Sequence, residues 1–262
     1  MLKILRDQRE NAGSAEFTAI SFLTLSLGGR KFQVQKLNTS NVSARDLRMK
    51  PKEFMASITG TSCLLATLLN MPDISEHVEK IEKMANLLVD AFHGGSLLEN
   101  GNLSPNHINM LLVGVLVAFL YRWDHGAIDG LDNETPREKV PLVLFKALKH
   151  IASKQEEDGS WENSSAEPTA YAVITIAHLI RLPWHPSVMA HAETALHKGR
   201  QYLEQNSDTW SDSSFFRAEK ATFSSAILRE AYCLAALKSP TEPYDFSPRT
   251  QEVFNDNTRF HL

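Results

Sequence analysis

The feature that most restricts the fold of this chain is a recurring opening: a capping or acidic residue, then proline, then an apolar stretch at helical period. Ser104-Pro105 leads into Ile108–Trp123, Thr135-Pro136 into Val140–Ile151, and Glu167-Pro168 into a stretch with Tyr171, Ile174, His178 and Leu179 on one side. Pro186 opens Val188–Leu203, where Met189, Ala192, Leu196 and Tyr202 form the apolar stripe. Proline has no N–H to lose in the first helical turn and its fixed φ suits that turn, while Ser or Thr before it caps the open amides. The stretches Lys52–Leu69, Ser75–Phe92 and Thr222–Leu237 carry the same period without that opening. Glu16–Leu27 fits a helix, although Phe17, Thr18, Ile20, Phe22 and Thr24 also suit a strand. No run of hairpin-linked strands stands out, so the expected class is all-α, with about eight or nine helices joined by short polar turns.

The helices differ in how they meet water. Ser75–Phe92 carries Glu76, Glu79, Lys80, Glu82 and Lys83 and reads as an outer helix with one wet face, whereas Ile108–Leu120 and Tyr171–Leu182 are apolar nearly all round and need other helices about them. Two concentric rings of helices produce that alternation, and so does a simple bundle. With 262 residues, 43% of them hydrophobic, the chain is long enough for one domain over 1–262 with a sizeable core. A net charge of −4 without any Lys/Arg run argues against a nucleic-acid surface. Cys63 and Cys233 lie in apolar helical patterns, where packed thiols are expected rather than a disulfide framework or a metal site. The start, MLKILRDQREN, lacks the apolar core of a signal peptide because Arg6, Asp7, Arg9 and Glu10 interrupt it. The uncharged run Ile108–Tyr121 falls short of the roughly 20 residues a bilayer span needs. A soluble, cytoplasmic protein without a membrane span is the expectation; the oligomeric state stays open.

The most distinctive local pattern is KALKHIASKQEEDGSW over Lys146–Trp161, followed at once by Glu167-Pro168-Thr169-Ala170-Tyr171-Ala172. An apolar helix ends in a polar Asp158-Gly159 turn that returns Trp161 against the next segment of chain. The Gln155 amide can bond open carbonyls at the helix end, and its flat face can stack on Trp161. Lys146–Ile151 with Trp161 downstream is echoed by Lys198–Leu203 with Trp210 downstream, a weak repeat of a helix-turn unit.

Gln155-x-x-Asp158-Gly159-Ser160-Trp161 resembles the QW motif of the terpenoid cyclase and protein prenyltransferase superfamily, and Lys198-Gly199-x-x-Tyr202-Leu203 looks like the opening half of a second one. Glu167–Ala172 resembles the helix that follows the motif in triterpene and class II diterpene cyclases. Glu219–Ser225 with Ala231–Leu237 is similar to a closing region of their fungal relatives. The resemblance covers the C-terminal half of the chain. It implies an α/α-barrel of inner helices around an apolar cavity, outer helices behind them, and clips tying neighbours together. It also implies a small hydrophobic terpenoid as the partner molecule.

The departures from the family matter as much. Asp129-Gly130-Leu131-Asp132 lacks the adjacent pair of the Asp-x-Asp-Asp acid by which class II enzymes protonate an alkene. Neither Glu156-Glu157-Asp158 nor Asn255-Asp256-Asn257-Thr258 has the spacing of a carboxylate cluster that holds Mg²⁺ on a diphosphate. His185, His191 and His197 are wrongly spaced for one helical face, and no metal site or cofactor is expected. Candidate catalytic residues are Tyr171, Glu219 and Lys220; candidate substrate-binding residues are Glu167, His178, Tyr232 and Trp123. Tyr171 and His178, at i and i+7, either pack in the core or line the cavity wall, where a donor polarises a bound carbonyl. Glu167 either complements the helix dipole or sits at a cavity mouth. Glu219-Lys220 reads as a solvated pair or as a buried, oriented one, Tyr232 as core, and Trp123-Asp124-His125-Gly126 as a loop in which neighbours do not face each other. With both ionising motifs missing, the expected activity is metal-independent ring closure on a preformed terpenoid, such as an intramolecular Diels–Alder step of the norbornene-forming kind. A partner or relic domain of a class II cyclase and a non-catalytic terpenoid- or lipid-binding protein are the alternatives.

Overall fold

Each proline opening is used. The computed structural model describes residues 58–71, 73–93, 104–210, 226–255 and 260. Within them lie α1 (Ile58–Leu69), α2 (Val78–His93), α3 (Pro105–Asp124), α4 (Val140–Ser153), α5 (Ala166–Leu179), α6 (Pro186–Gln205), α7 (Ala226–Lys238) and α8 (Pro248–Phe254). No strand occurs among the described residues; the one pairing outside helices is an isolated bridge between Trp161 and Ser165. The expected helix at Glu16–Leu27, residues 52–57 of the Lys52–Leu69 stretch and residues 222–225 of the Thr222–Leu237 stretch lie outside the described residues.

Two details differ from the sequence reading. Thr135-Pro136 opens a π-helical turn, Thr135–Lys139, before α4 begins. Thr135 is buried there, and its hydroxyl donates to Asn86 Oδ1 of α2 at 3.0 Å. The second difference is α8, which the sequence reading passed over although Ser247-Pro248 repeats the opening signature. Its cap is remote. Asp124, at the end of α3, accepts from Ser247 N at 2.8 Å, Ser247 Oγ at 2.5 Å and Thr250 Oγ1 at 2.5 Å.

The helices form two layers. α1, α3, α5 and α7 pack in succession, α1 on α3, α3 on α5 and α5 on α7. Behind them α2 packs on α1, α4 on α3 and α5, and α6 on α5 and α7. This is the inner and outer alternation of an α/α-barrel. The burial pattern follows it: α2 hides Ile81, Met84, Ala85, Leu88 and Val89 while Glu79 and Lys80 stay exposed. In α5 only Ile174 and His178 keep partial access to solvent. Each large apolar side chain so buried contributes about 1.5–3 kcal/mol, and the core runs through both layers from Leu65 and Leu88 to Leu203 and Ala236. Cys63 and Cys233 are both buried in helices, as their apolar setting implied. No helix among the described residues is long and apolar enough to cross a membrane.

Candidate functional site

The starts of α3 and α5 are held by the turn that joins α4 to α5. Trp161 is fully buried, and its indole N–H donates at 2.9 Å to the Ile151 carbonyl in the last turn of α4. Trp210 does the same at the equivalent place, donating to the Leu203 carbonyl at 3.0 Å, so the weak repeat has a physical basis. Gln155 differs from expectation. Its amide donates to the Gly159 carbonyl at 3.0 Å and to the Ala195 carbonyl inside α6 at 2.9 Å, tying the turn sideways to the outer layer. Gly199, read as half of a second motif, instead makes room: a Cβ there would lie 2.6 Å from Val173 Cγ2 and 2.8 Å from Trp161 Cζ3. Gly159, at φ +91°, could not carry a Cβ without meeting the Lys198 carbonyl oxygen at 2.6 Å.

After Trp161 three non-glycine residues, Glu162, Asn163 and Ser164, all adopt positive φ. Such backbone is costly and persists only where it is over-determined. Here the Tyr202 hydroxyl donates to the Ser164 carbonyl, Ser164 Oγ donates to Asp158 Oδ2 at 2.8 Å, and Asn163 N–H donates to Glu156 Oε1 at 2.6 Å. Glu162 reaches the start of α3, where its Oε1 accepts from Ser104 Oγ at 2.8 Å and from Asn106 Nδ2 at 2.8 Å. Burial nonetheless outweighs these bonds and raises the Glu162 carboxyl above its usual range.

The first turns of α3 and α5, fixed in this way, carry a buried polar cluster. The Tyr171 hydroxyl donates to Glu167 Oε1, one helical turn earlier. The Tyr171 ring lies 4.8 Å from His107 of α3 and 4.8 Å, edge-on, from Tyr232 of α7. The Cys233 thiol donates to the Ala166 carbonyl at 3.8 Å, and burial followed by the nearby Glu167 pushes its pKa to about 12. Burial raises the Glu167 carboxyl too, against the lowering effects of the Tyr171 hydrogen bond and the Arg229 charge. Burial and then the Glu167 charge raise Tyr171, so its phenol keeps its proton. His107 is lowered to about 4 by burial and is a neutral imidazole at neutral pH. The carboxyl, two phenols and a neutral imidazole can offer hydrogen bonds to a ligand, with the charge of buried Arg229 on α7 acting on Glu167 beside them.

The candidate residues thus divide. Glu167, Tyr171 and Tyr232 come together. His178 lies further along the face of α5 that holds Tyr171, over Gly114 of α3, with Nδ1 3.4 Å from the Tyr244 hydroxyl and its pKa lowered by burial to about 4. Beside it, Ile174, Ala177, His178, Arg181, Ser239 and Pro240 line a recess of about 30 Å³, room for solvent and not for an isoprenoid skeleton. Trp123 stands apart from both groups, under the Arg249 guanidinium of α8 at 4.7 Å. Glu219 and Lys220 lie outside the described residues. His107 escaped the sequence reading although a signal was present: His107, Leu111, Gly114, Ala118 and Tyr121 recur on one face of α3, and each keeps partial access to solvent. Among the described residues no group of three or more His, Cys, Asp or Glu side chains converges as a metal ion requires.

The chain is 32% identical over 226 residues to pimaradiene synthase of Emericella nidulans, covering 86% of this chain and 23% of that enzyme. Its relatives are fungal diterpene cyclases. Phyllocladan-16-alpha-ol synthase of Phomopsis amygdali is 26% identical over 242 residues, 90% of this chain and 24% of that protein. Copalyl diphosphate synthase of Talaromyces verruculosus is 25% identical over 245 residues, 92% of this chain and 25% of that protein. The chain therefore spans about a quarter of the length of these curated relatives. No protein-family model and no solved structure matches it.

Proposed function

We propose that this terpene-cyclase-like chain closes a ring on a preformed, oxygenated terpenoid by a metal-independent intramolecular Diels–Alder reaction. The observation that carries the reading is the Glu167–Tyr171 pair, buried at the start of an inner helix and joined by a hydrogen bond. Tyr171 donates to Oε1, which leaves Oε2 as the atom from which the carboxyl, when protonated, would donate to a dienophile carbonyl. The inner-layer face, with Tyr232 beside the pair and Leu111, Gly114, Ala118 and Ile174 further along α3 and α5, is an apolar surface on which a flexible diene can be held in reacting geometry. In the reaction itself three π bonds become one as two C–C σ bonds form; no proton moves, no group leaves and no co-reactant is consumed. Polarising the carbonyl with one preorganised donor is worth about 1–3 kcal/mol, or roughly tenfold to a hundredfold in rate. Glu219 and Lys220 enter the same proposal as further donors.

The test is turnover of a diterpenoid that carries a conjugated diene and an α,β-unsaturated aldehyde, with the products then identified. Ring closure faster than in buffer and unaffected by EDTA is expected, with Glu167→Gln and Tyr171→Phe each slowing it by about tenfold to a hundredfold while the melting temperature changes little. Binding without acceleration would leave a carrier in place of an enzyme. Cyclisation of geranylgeranyl diphosphate, with or without added Mg²⁺, would replace the pericyclic reading with that of an orthodox cyclase domain.

A further inference from the structure

His107 has no task in the proposed ring closure. Its Nδ1 is shut off from solvent and has no hydrogen-bond partner among the described residues. An imidazole nitrogen left in that state costs about 1–3 kcal/mol, and buried polar atoms in native proteins are rarely left so. The position is not a slack one. Ser104 caps the turn by accepting from His107 N–H at 3.4 Å, Glu162 pins Ser104 and Asn106 just before it, and the ring rests on Tyr171. A network that fixes the backbone leading into a side chain, and leaves that side chain's own polar atom unanswered among the described residues, marks an atom placed to meet a ligand. The partner must lie on the inner-layer face, since His107 begins the half-buried stripe that runs through Leu111, Gly114 and Ala118.

We infer that His107 is a second ligand-contacting residue of the Glu167–Tyr171 site, and that it selects a terpenoid bearing a neutral oxygen function, an alcohol or an aldehyde, over a hydrocarbon or a diphosphate ester. This rests on the terpenoid reading and adds the ligand's functional group to it. A neutral imidazole offers one donor and one acceptor, which match a hydroxyl or carbonyl oxygen and give no charge to a diphosphate.

The experiment uses the full chain labelled with ¹⁵N-histidine and three probes: geranylgeranial, pimaradiene and geranylgeranyl diphosphate. The His107 ring nitrogens are expected to shift with geranylgeranial alone. The wild type should bind the aldehyde about tenfold more tightly than the hydrocarbon, the value of one neutral hydrogen bond, and His107→Leu should remove that preference while still binding both. If the aldehyde leaves the His107 nitrogens unmoved, or if the preference survives in His107→Leu, the assignment to His107 is overturned and the terpenoid reading stands. Tightest binding of the diphosphate, with His107 shifting, overturns the selectivity inferred here. If none of the three binds the wild type, the terpenoid reading falls and this assignment falls with it.

Discussion

Two polar regions lie next to each other along the chain, the turn at Gln155–Ser165 and the cluster at the starts of α3 and α5, and they use their hydrogen bonds differently. In the turn the buried polar atoms find partners inside the protein: the Gln155 amide has two carbonyls, Asp158 takes Ser160 and Ser164, and the Trp161 indole takes Ile151. In the cluster His107 Nδ1 has none among the described residues, and Glu167 is held above its usual pKa by burial. A satisfied buried network rigidifies a fold, whereas an unsatisfied one is costly unless a ligand completes it. The turn is therefore frame and the cluster is site, with Glu162 reaching from one to the other.

The largest test of that division is Trp161→Ala. Emptying a fully buried indole that touches α4, α5 and α6 should cost about 3–5 kcal/mol, read as a large drop in melting temperature for the whole domain. A loss below about 1 kcal/mol, well short of a truncated core aromatic, would mean that the turn does not frame the site. Gly199→Ala probes the same place from the α6 side. Its Cβ has to displace Val173 and the Trp161 ring, an overpacking change of about 1–3 kcal/mol. If it is neutral, the close approach of α6 to Trp161 is looser than the geometry indicates.

These two residues also show how far the sequence could be read. Trp161, with its Asp158-Gly159 turn, was legible because turn chemistry is local, and so were the helix starts, whose prolines act within one turn. What Gly199 makes room for was not legible, because it comes from elsewhere in the chain, Val173 of α5 and the indole of the α4–α5 turn. Tyr171 and His178 were readable as one helical face, with Glu167 at the start of that helix. That His107 meets Tyr171 was not, since it depends on how α3 packs against α5, and no spacing within α3 encodes that. The same reason hid the cap of α8: Asp124 is more than a hundred residues away in the chain from the Ser247 and Thr250 groups it accepts. Local chemistry was legible; meetings between distant helices were not.

The test that separates the two regions most directly is their order of loosening in acid. The folded pKa of His107 is depressed to about 4 from 6.5, chiefly by burial, and that of His178 likewise, with the Arg181 charge adding to it. A depressed histidine contributes stability that is present above its unfolded value and is lost as pH falls toward the folded one. The window is therefore pH 6.5 down to about 4. His107 faces Tyr171 and, beyond it, Glu167 and Tyr232; His178 faces Arg181 and Tyr244. Glu167 works in the opposite sense: its raised pKa contributes stability below the ordinary glutamate value of 4.5 that is lost as pH rises through the folded one. In the turn, burial would raise Asp158, yet bonds from Ser160 and Ser164 hold it below 3.8, so its contribution is lost only under stronger acid. Between pH 6.5 and about 4 the start of α3 and the end of α5 should thus lose amide-exchange protection, corrected for intrinsic rates, while residues 155–165 keep theirs. His107→Leu should flatten the change at α3. Simultaneous loosening of both regions would show that frame and site are one cooperative unit, and that Glu162 transmits strain as well as position.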